Sequence, residues 1–258
     1  MSGVSELRMA LDPAALFEGV VGEPDPWQRK ALRSGSKRQL YLASRQSGKS
    51  SVAAVRGLHR AMYAPGSLIL LVSPSLPQSQ EIFRKCLTYY RELGRPQGVR
   101  NESALRLELG NRSRIISLPG SEKTGVGYSA DLIVVDEAAE TPSQLIEAML
   151  PSVAVTDGSI VALTSPKGAR GWFYELWTQP EVEEVWECYL ITADECPRIT
   201  EEIVEEARMT RGERHVRQEY YCSFEADEAA FFNPEDLDRS LTLMHEDEPV
   251  WFPERNAS

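Results

Sequence analysis

Three short apolar runs constrain this chain more than any other feature. "SLILLVSP" (67–74), "DLIVVDEAA" (131–139) and "SIVALTSPKG" (159–168) each hold four or five consecutive apolar residues, many of them β-branched, between Ser, Asp, Pro or Gly. Runs this short and this uniformly apolar predict strands buried on both faces, as in a parallel sheet. The segments between them have helical spacing: "KSSVAAVRGLHRAMYA" (49–64), "LPQSQEIFRKCLTYYREL" (76–93) and "TPSQLIEAMLPSVA" (141–154). Pro77 and Pro142 lie near the starts of two of them, where a missing N–H is tolerated. Alternating β and α segments predict an α/β fold with a mainly parallel, twisted sheet sandwiched by helices. "ALRLELGNRSRIISLPG" (104–120) alternates apolar and polar residues around Gly110-Asn111 and predicts an inserted β-hairpin. "VWECYLITADE" (185–195) predicts one more strand, followed by an acidic helical part.

At 258 residues, 42% hydrophobic and 26% charged, the chain can bury a full core. It has no apolar run of membrane-spanning length and no leader-like start, which predicts a soluble intracellular protein with no membrane role. Cys86, Cys188, Cys196 and Cys222 show no paired spacing and read as reduced core residues. The net charge of −11 is uneven: residues 1–174 carry 21 Lys and Arg against 16 Asp and Glu, and residues 175–258 carry 7 against 23. A polyanion is expected to meet the first part, with the acidic remainder mostly solvated.

Chemistry concentrates at the ends of the strands. "QLYLA" (39–43) reads as a strand, "SRQSGK" (44–49) as a loop and "SSVAAVRGLHRAM" (50–62) as a helix. That order describes a phosphate-binding loop, in which backbone N–H groups and a helix N-terminus surround an anion. Ser44, Arg45, Gln46, Ser47 and Gly48 would form the wrap, Lys49 would neutralise the β- and γ-phosphates, and the Ser50 hydroxyl would ligate Mg²⁺. Ala43 stands where such loops open with glycine. The second element is "LIVVDEAAE" (132–140): Asp136 at the end of a buried strand is suited to bind Mg²⁺, and the adjacent Glu137 to act as catalytic base on the attacking water.

Together these residues resemble the ATPase domain of the large terminase subunit, the DNA-packaging motor of tailed bacteriophages. The resemblance rests on "SRQSGKS", with its arginine two positions after Ala43; on "LIVVDEAAE"; on "LTSPKGARGWFYELW" (163–177); and on "DPWQRKAL" (25–32). It implies a P-loop NTPase of the ASCE type over residues 1–225, with 226–258 an acidic linker toward an absent nuclease domain. It implies that Gln28 contacts adenine, Arg45 reaches the γ-phosphate, and Thr164 and Ser165 couple hydrolysis to motion. ATP and Mg²⁺ would be the cofactors. The partners would be double-stranded DNA of any sequence, further copies in a ring on the portal, and the small terminase subunit, in the host cytoplasm. Arg100, Arg106, Arg112 and Arg114 of the hairpin region are the candidate DNA contacts, with an ordinary exposed hairpin as the alternative.

Two departures from the family pattern bear on the chemistry. Gly125-Val126-Gly127 occupies the place where many relatives carry an arginine that acts on the neighbouring subunit, which leaves Arg45, Arg114 or Arg170 to substitute, or turnover to be slow. The acidic residues Asp236, Asp238, Glu246, Asp247 and Glu248 read as surface or tail, so no DNA cleavage is expected. A helicase of the same broad class and a nucleotide-binding assembly module are the competing readings.

Overall fold

The computed structural model describes residues 3–120 and 127–225. The acidic segment 226–258 and Val126 lie outside the described residues. The chain begins with α1 (Gly3–Leu11), α2 (Pro13–Val20) and α3 (Pro26–Arg33), then enters β1 (Arg38–Ala43). It continues through α4 (Lys49–Tyr63), β2 (Leu68–Ser73), α5 (Leu76–Glu92), β3 (Val99–Glu102), β4 (Arg106–Leu109) and β5 (Arg114–Pro119). After β6 (Leu132–Asp136) come α6 (Ser143–Ala154), β7 (Ser159–Thr164), α7 (Trp172–Trp177), α8 (Val182–Val185), β8 (Glu187–Ile191), α9 (Glu201–Arg211) and α10 (Glu213–Glu219).

One eight-stranded sheet has the order β3-β4-β5-β2-β6-β7-β1-β8. The six strands from β5 to β8 in that order pair in parallel, and the β4–β5 and β3–β4 pairs are antiparallel. The hairpin therefore extends one edge. The edge strand β3 was not evident in the sequence, because "VRNE" is polar and its burial is partial.

Alternation of side chains divides the core into two layers. Ile69 and Leu71 of β2, with Val134 of β6 and Val161 of β7, pack against α2, α4 and α5 residues such as Phe17, Leu58 and Phe83. Leu70, Val72, Val135 and Ala162 face the other way, against Leu145 and Met149 of α6 and Phe173 of α7. Every residue of β2 and β6 is buried, the reason both read as unbroken apolar runs. Each such Leu or Ile contributes on the order of 1.5–3 kcal/mol by burial. Because the parallel strands share one direction, the ends of β1, β2, β6 and β7 gather on one rim of the sheet, and β7 separates β1 from β6.

Candidate nucleotide site

The site grows from the rim. Ala43 is the last residue of β1 and is fully buried, so the position conventionally given to glycine is extended backbone that accepts a Cβ. Ser44 still donates its N–H to Ile191 of the neighbouring strand at 2.8 Å. The loop then curls through two left-handed residues, Gln46 (φ 60°) and Gly48 (φ 88°). Glycine suits position 48 because its φ of 88° strains any residue with a Cβ, which would also stand 2.6 Å from Gln28 Nε2.

Lys49 opens α4 and projects into the centre. Its Nζ donates to Ser165 Oγ at 3.2 Å and lies 3.8 Å from Glu137 Oε1, with the side chain 11% exposed. Residues 49, 137 and 165, remote in sequence, thus meet at one point. Arg45, Gln46, Lys49, Gln78, Glu137, Glu140, Ser165 and Lys167 line a cleft of about 360 Å³ around it.

Glu137 takes a left-handed backbone (φ 48°, ψ 48°), rare for a residue with a side chain and costing about 1–2 kcal/mol. That turn directs its carboxylate into the cleft, where an uninterrupted strand would have alternated it away from Asp136. Asp136 is 7% exposed, and its Oδ1 has no hydrogen-bond partner. Burial, then the adjacent Glu137 charge, push its carboxyl up to about 7, opposed by Lys49. A buried carboxylate oxygen left without a donor is the arrangement a hard divalent cation satisfies, so the residues fit Mg²⁺. Ser50, the other expected ligand, is the second residue of α4.

The expected coupling pair divides its work. Thr164 is fully buried and its hydroxyl donates to Ser165 O (2.7 Å) and accepts from Ala139 N (3.3 Å), joining β7 to the turn after Glu137. Ser165 Oγ donates to Ala43 O at 3.0 Å while it accepts from Lys49, so Ser165 is the one facing the cleft.

Gln28 and Arg45 are both occupied by protein partners. Gln28 is 1% exposed; Asp25 N donates to its Oε1 (2.9 Å), and its Nε2 donates to Ser47 O (3.3 Å). Arg198 reinforces this brace: it donates to both Asp25 carboxylate oxygens (3.0 and 2.7 Å) and to Ser47 O (2.8 Å). Arg45 Nε donates to the Glu219 carboxylate of α10 at 2.5 Å, and Arg45 N to Glu219 O at 3.0 Å. Glu219 belongs to the acidic part expected to be solvated, yet it is 4% exposed. Gln218 Nε2 donates to Pro166 O at 3.0 Å, so α10 is tied to both the loop and the segment after β7.

The hairpin arginines lie elsewhere. Arg100 (3.8 Å) and Arg106 (3.1 Å) pair with Glu108, and Arg114 stands opposite Glu108 in the β4–β5 register. Arg112 is an exposed turn residue with φ 70°. Arg114 aligns with Leu68, the first residue of β2, and so lies a strand's length, about 17 Å, from the rim. It cannot serve the cleft of its own subunit.

A family model described as terminase large subunit, T4likevirus-type, N-terminal, matches residues 40–239. The chain belongs to this family. Among terminase relatives, the large subunit of Thermus phage G20c is 28% identical over 188 residues, covering 65% of this chain and 39% of that one. The large subunit of Escherichia phage T5 is 25% identical over 196 residues, 74% of this chain and 44% of that one. The chain thus spans about two fifths of the length of the curated terminases it matches. Among solved structures, the large terminase ATPase domain of Thermus phage P74-26 matches with a TM-score of 0.69 at 25% identity, covering 81% of this chain and 97% of that chain. A large terminase from a thermophilic bacteriophage, solved in complex with ADP, shares the fold with a TM-score of 0.64 at 13% identity, covering 78% of this chain and 54% of that chain. The terminase fold is the expected P-loop NTPase fold, with β7 as the additional strand between the loop strand β1 and the acidic strand β6.

Gln78 and Lys167 line the cleft, Arg198 and Glu219 bond to its loop, and none of the four is singled out in the sequence. Only Gln78 carried a local signal, the S-x-x-Q helix start at Ser75.

Proposed function

We propose that this chain is the Mg²⁺-dependent ATPase of a DNA-packaging motor, moving double-stranded viral DNA into a capsid. The observation that supports this most is the meeting of Lys49, Glu137 and Ser165 in one cleft beside the unpartnered Asp136. Residues 44–48 wrap the phosphates with backbone N–H groups, and Lys49 leaves Ser165 to neutralise the β- and γ-phosphates. Glu137 accepts a proton from a water as its oxygen attacks the γ-phosphorus, and the bond to the β-phosphate oxygen breaks, giving ADP and phosphate. Arg45 exchanges Glu219 for a γ-phosphate oxygen and stabilises the charge that spreads there. Ser50 and Asp136 would hold Mg²⁺, which supplies charge neutralisation at the phosphate oxygens. Gln28 contacts adenine by giving up its bond to the loop.

Loss of the γ-phosphate returns Arg45 to Glu219 and Lys49 to Ser165, which changes the ties between the cleft, α10 and the Thr164–Ser165 segment. That is the route by which hydrolysis is read as movement. DNA contacts are to phosphates and independent of sequence. Arg112 and the group of Arg100, Arg106 and Arg114 around the single Glu108 are the cations offered for them, multiplied in a ring of copies on the portal with the small terminase subunit. No nuclease activity is assigned to these residues, and the site of action is the host cytoplasm at the procapsid.

Gly125-Val126-Gly127 supplies no arginine, which favours a second reading, a nucleotide-binding assembly module with weak turnover. Phosphate release by the unsubstituted protein and by Glu137→Ala separates the two. The motor reading expects release that falls roughly 10³-fold on substitution, with nucleotide binding retained; equal release from both proteins rejects it.

A further inference from the structure

Gln78 stands on the wall of the cleft. It is the third residue of α5 and closes the capping box of that helix: Ser75 N (3.1 Å) and Ser75 Oγ (2.7 Å) both donate to Gln78 Oε1. A backbone N–H can only donate, so the atom it meets must be the amide oxygen, and the orientation of the amide follows. The –NH₂ group therefore points away from the cap. It has no hydrogen-bond partner among the described residues, and Gln78 shares the cleft with Arg45, Lys49, Glu137 and Ser165.

The mount is rigid. Helix α5 follows β2, and β2 pairs directly with β6, the strand that ends in Asp136 and delivers Glu137. Two hydrogen bonds hold the side chain, so little rotamer freedom remains to be lost when it binds. The group presented is a neutral donor. It can satisfy a phosphate oxygen without adding a charge beside Glu137.

We propose that the Gln78 amide donates to an oxygen of the γ-phosphate, so that this residue distinguishes the triphosphate from the diphosphate. The proposal rests on the ATPase reading above. Lys49 spans the β- and γ-phosphates and acts on both nucleotides, whereas Gln78 acts on the group that only ATP carries.

Calorimetric titration with ATPγS and, separately, with ADP tests this in the unsubstituted protein, Gln78→Leu, Gln78→Glu and Ser75→Ala. Gln78→Leu removes both donor and cap; Gln78→Glu keeps the cap oxygen and replaces the donor with a negative charge. The expected result is a loss of about tenfold or more in ATPγS affinity in both Gln78 variants, larger than any loss for ADP, as for one hydrogen bond to a charged group. Gln78→Glu retains the unsubstituted melting temperature, and Ser75→Ala, which leaves the donor in place, keeps the ratio of the two affinities within about threefold. An ATPγS-to-ADP ratio that stays within twofold of the unsubstituted protein in Gln78→Leu overturns the proposal while the ATPase reading stands, whatever the added charge does in Gln78→Glu. If the unsubstituted protein binds neither nucleotide, that reading fails and this one with it.

Discussion

The rim cleft and the edge hairpin both collect charged side chains, and they treat them in opposite ways. In the hairpin region most charges meet an opposite charge, Arg91 with Glu102, Arg106 with Glu108 at 3.1 Å and Arg95 with Glu102 at 3.5 Å, although Glu102 Oε2 and Arg106 Nε have no hydrogen-bond partner. In the cleft Asp136 is buried with an oxygen unpartnered, Glu137 holds a left-handed backbone, and Lys49 meets a carboxylate only at 3.8 Å. The hairpin pairs most of its charges with one another at the surface, and its left-handed residue, Arg112, sits in an exposed turn. A site prepared for a ligand leaves groups that the ligand must satisfy, and carries the local cost in a well-packed rim.

The strained carboxylate of Glu137 is the group whose replacement should have the largest effect. Glu137→Gln should lower the rate of phosphate release by roughly 10³-fold with ADP affinity within about threefold, read by a coupled phosphate assay and calorimetry. Lys49→Met should then reduce ADP affinity itself by about 100-fold, as for loss of a charge-assisted contact in a mostly buried setting.

Asp136 gives the next effect, on stability. Its carboxyl is raised by burial to about 7 against 3.8 for an ordinary aspartate. The folded nucleotide-free state therefore holds this proton where the unfolded chain has lost it. The contribution is fully present below about pH 4 and is lost as pH rises through about 7. Asp136→Asn should raise the stability of the nucleotide-free protein at pH 8 by on the order of 2 kcal/mol and flatten the fall between pH 4 and 8, measured by urea unfolding. A variant less stable than the parent at pH 8 would show that the group is satisfied after all.

These residues were legible in the sequence for a physical reason. The loop, the acidic strand end and the Thr164-Ser165 segment are each local patterns, and parallel topology carries the ends of their strands to one rim. Gly48 and Lys49 were identifiable because the strand-loop-helix order leaves them few conformations. Glu219 and Arg198 were not, since their partners lie 174 and 173 positions away, at Arg45 and Asp25, and nothing in "HVRQEYY" or "CPRIT" distinguishes them from solvated neighbours. The first two helices were signalled only weakly: Asp12 before Pro13 is a helix start, and Asp12 Oδ1 does accept from Ala14 N at 2.9 Å. Edge strand β3 is polar and half-exposed, so it lacks the apolar period that revealed the others.

Glu219 lies between the two regions in character, a buried carboxylate paired with an arginine whose side chain is 58% exposed. Glu219→Gln should cost about 1 kcal/mol of stability, by loss of the charge-assisted bond, and tighten ATPγS a few-fold by releasing Arg45. Weaker ATPγS binding would place Glu219 among the groups that aid the nucleotide. At the hairpin the effects should be smallest: Arg106→Ala should change stability by about 0.5 kcal/mol or less, because its ion pair is at the surface. A loss of several kcal/mol in thermal or urea unfolding would erase the distinction between the regions.

A crystal structure with ATPγS and Mg²⁺ tests the central claim most directly. The γ-phosphate should lie within about 3 Å of Lys49 Nζ, with Glu137 facing it through one water and Arg45 released from Glu219. Nucleotide bound away from the β1–α4 loop, with Lys49 still on Ser165 and Arg45 still on Glu219, would contradict it.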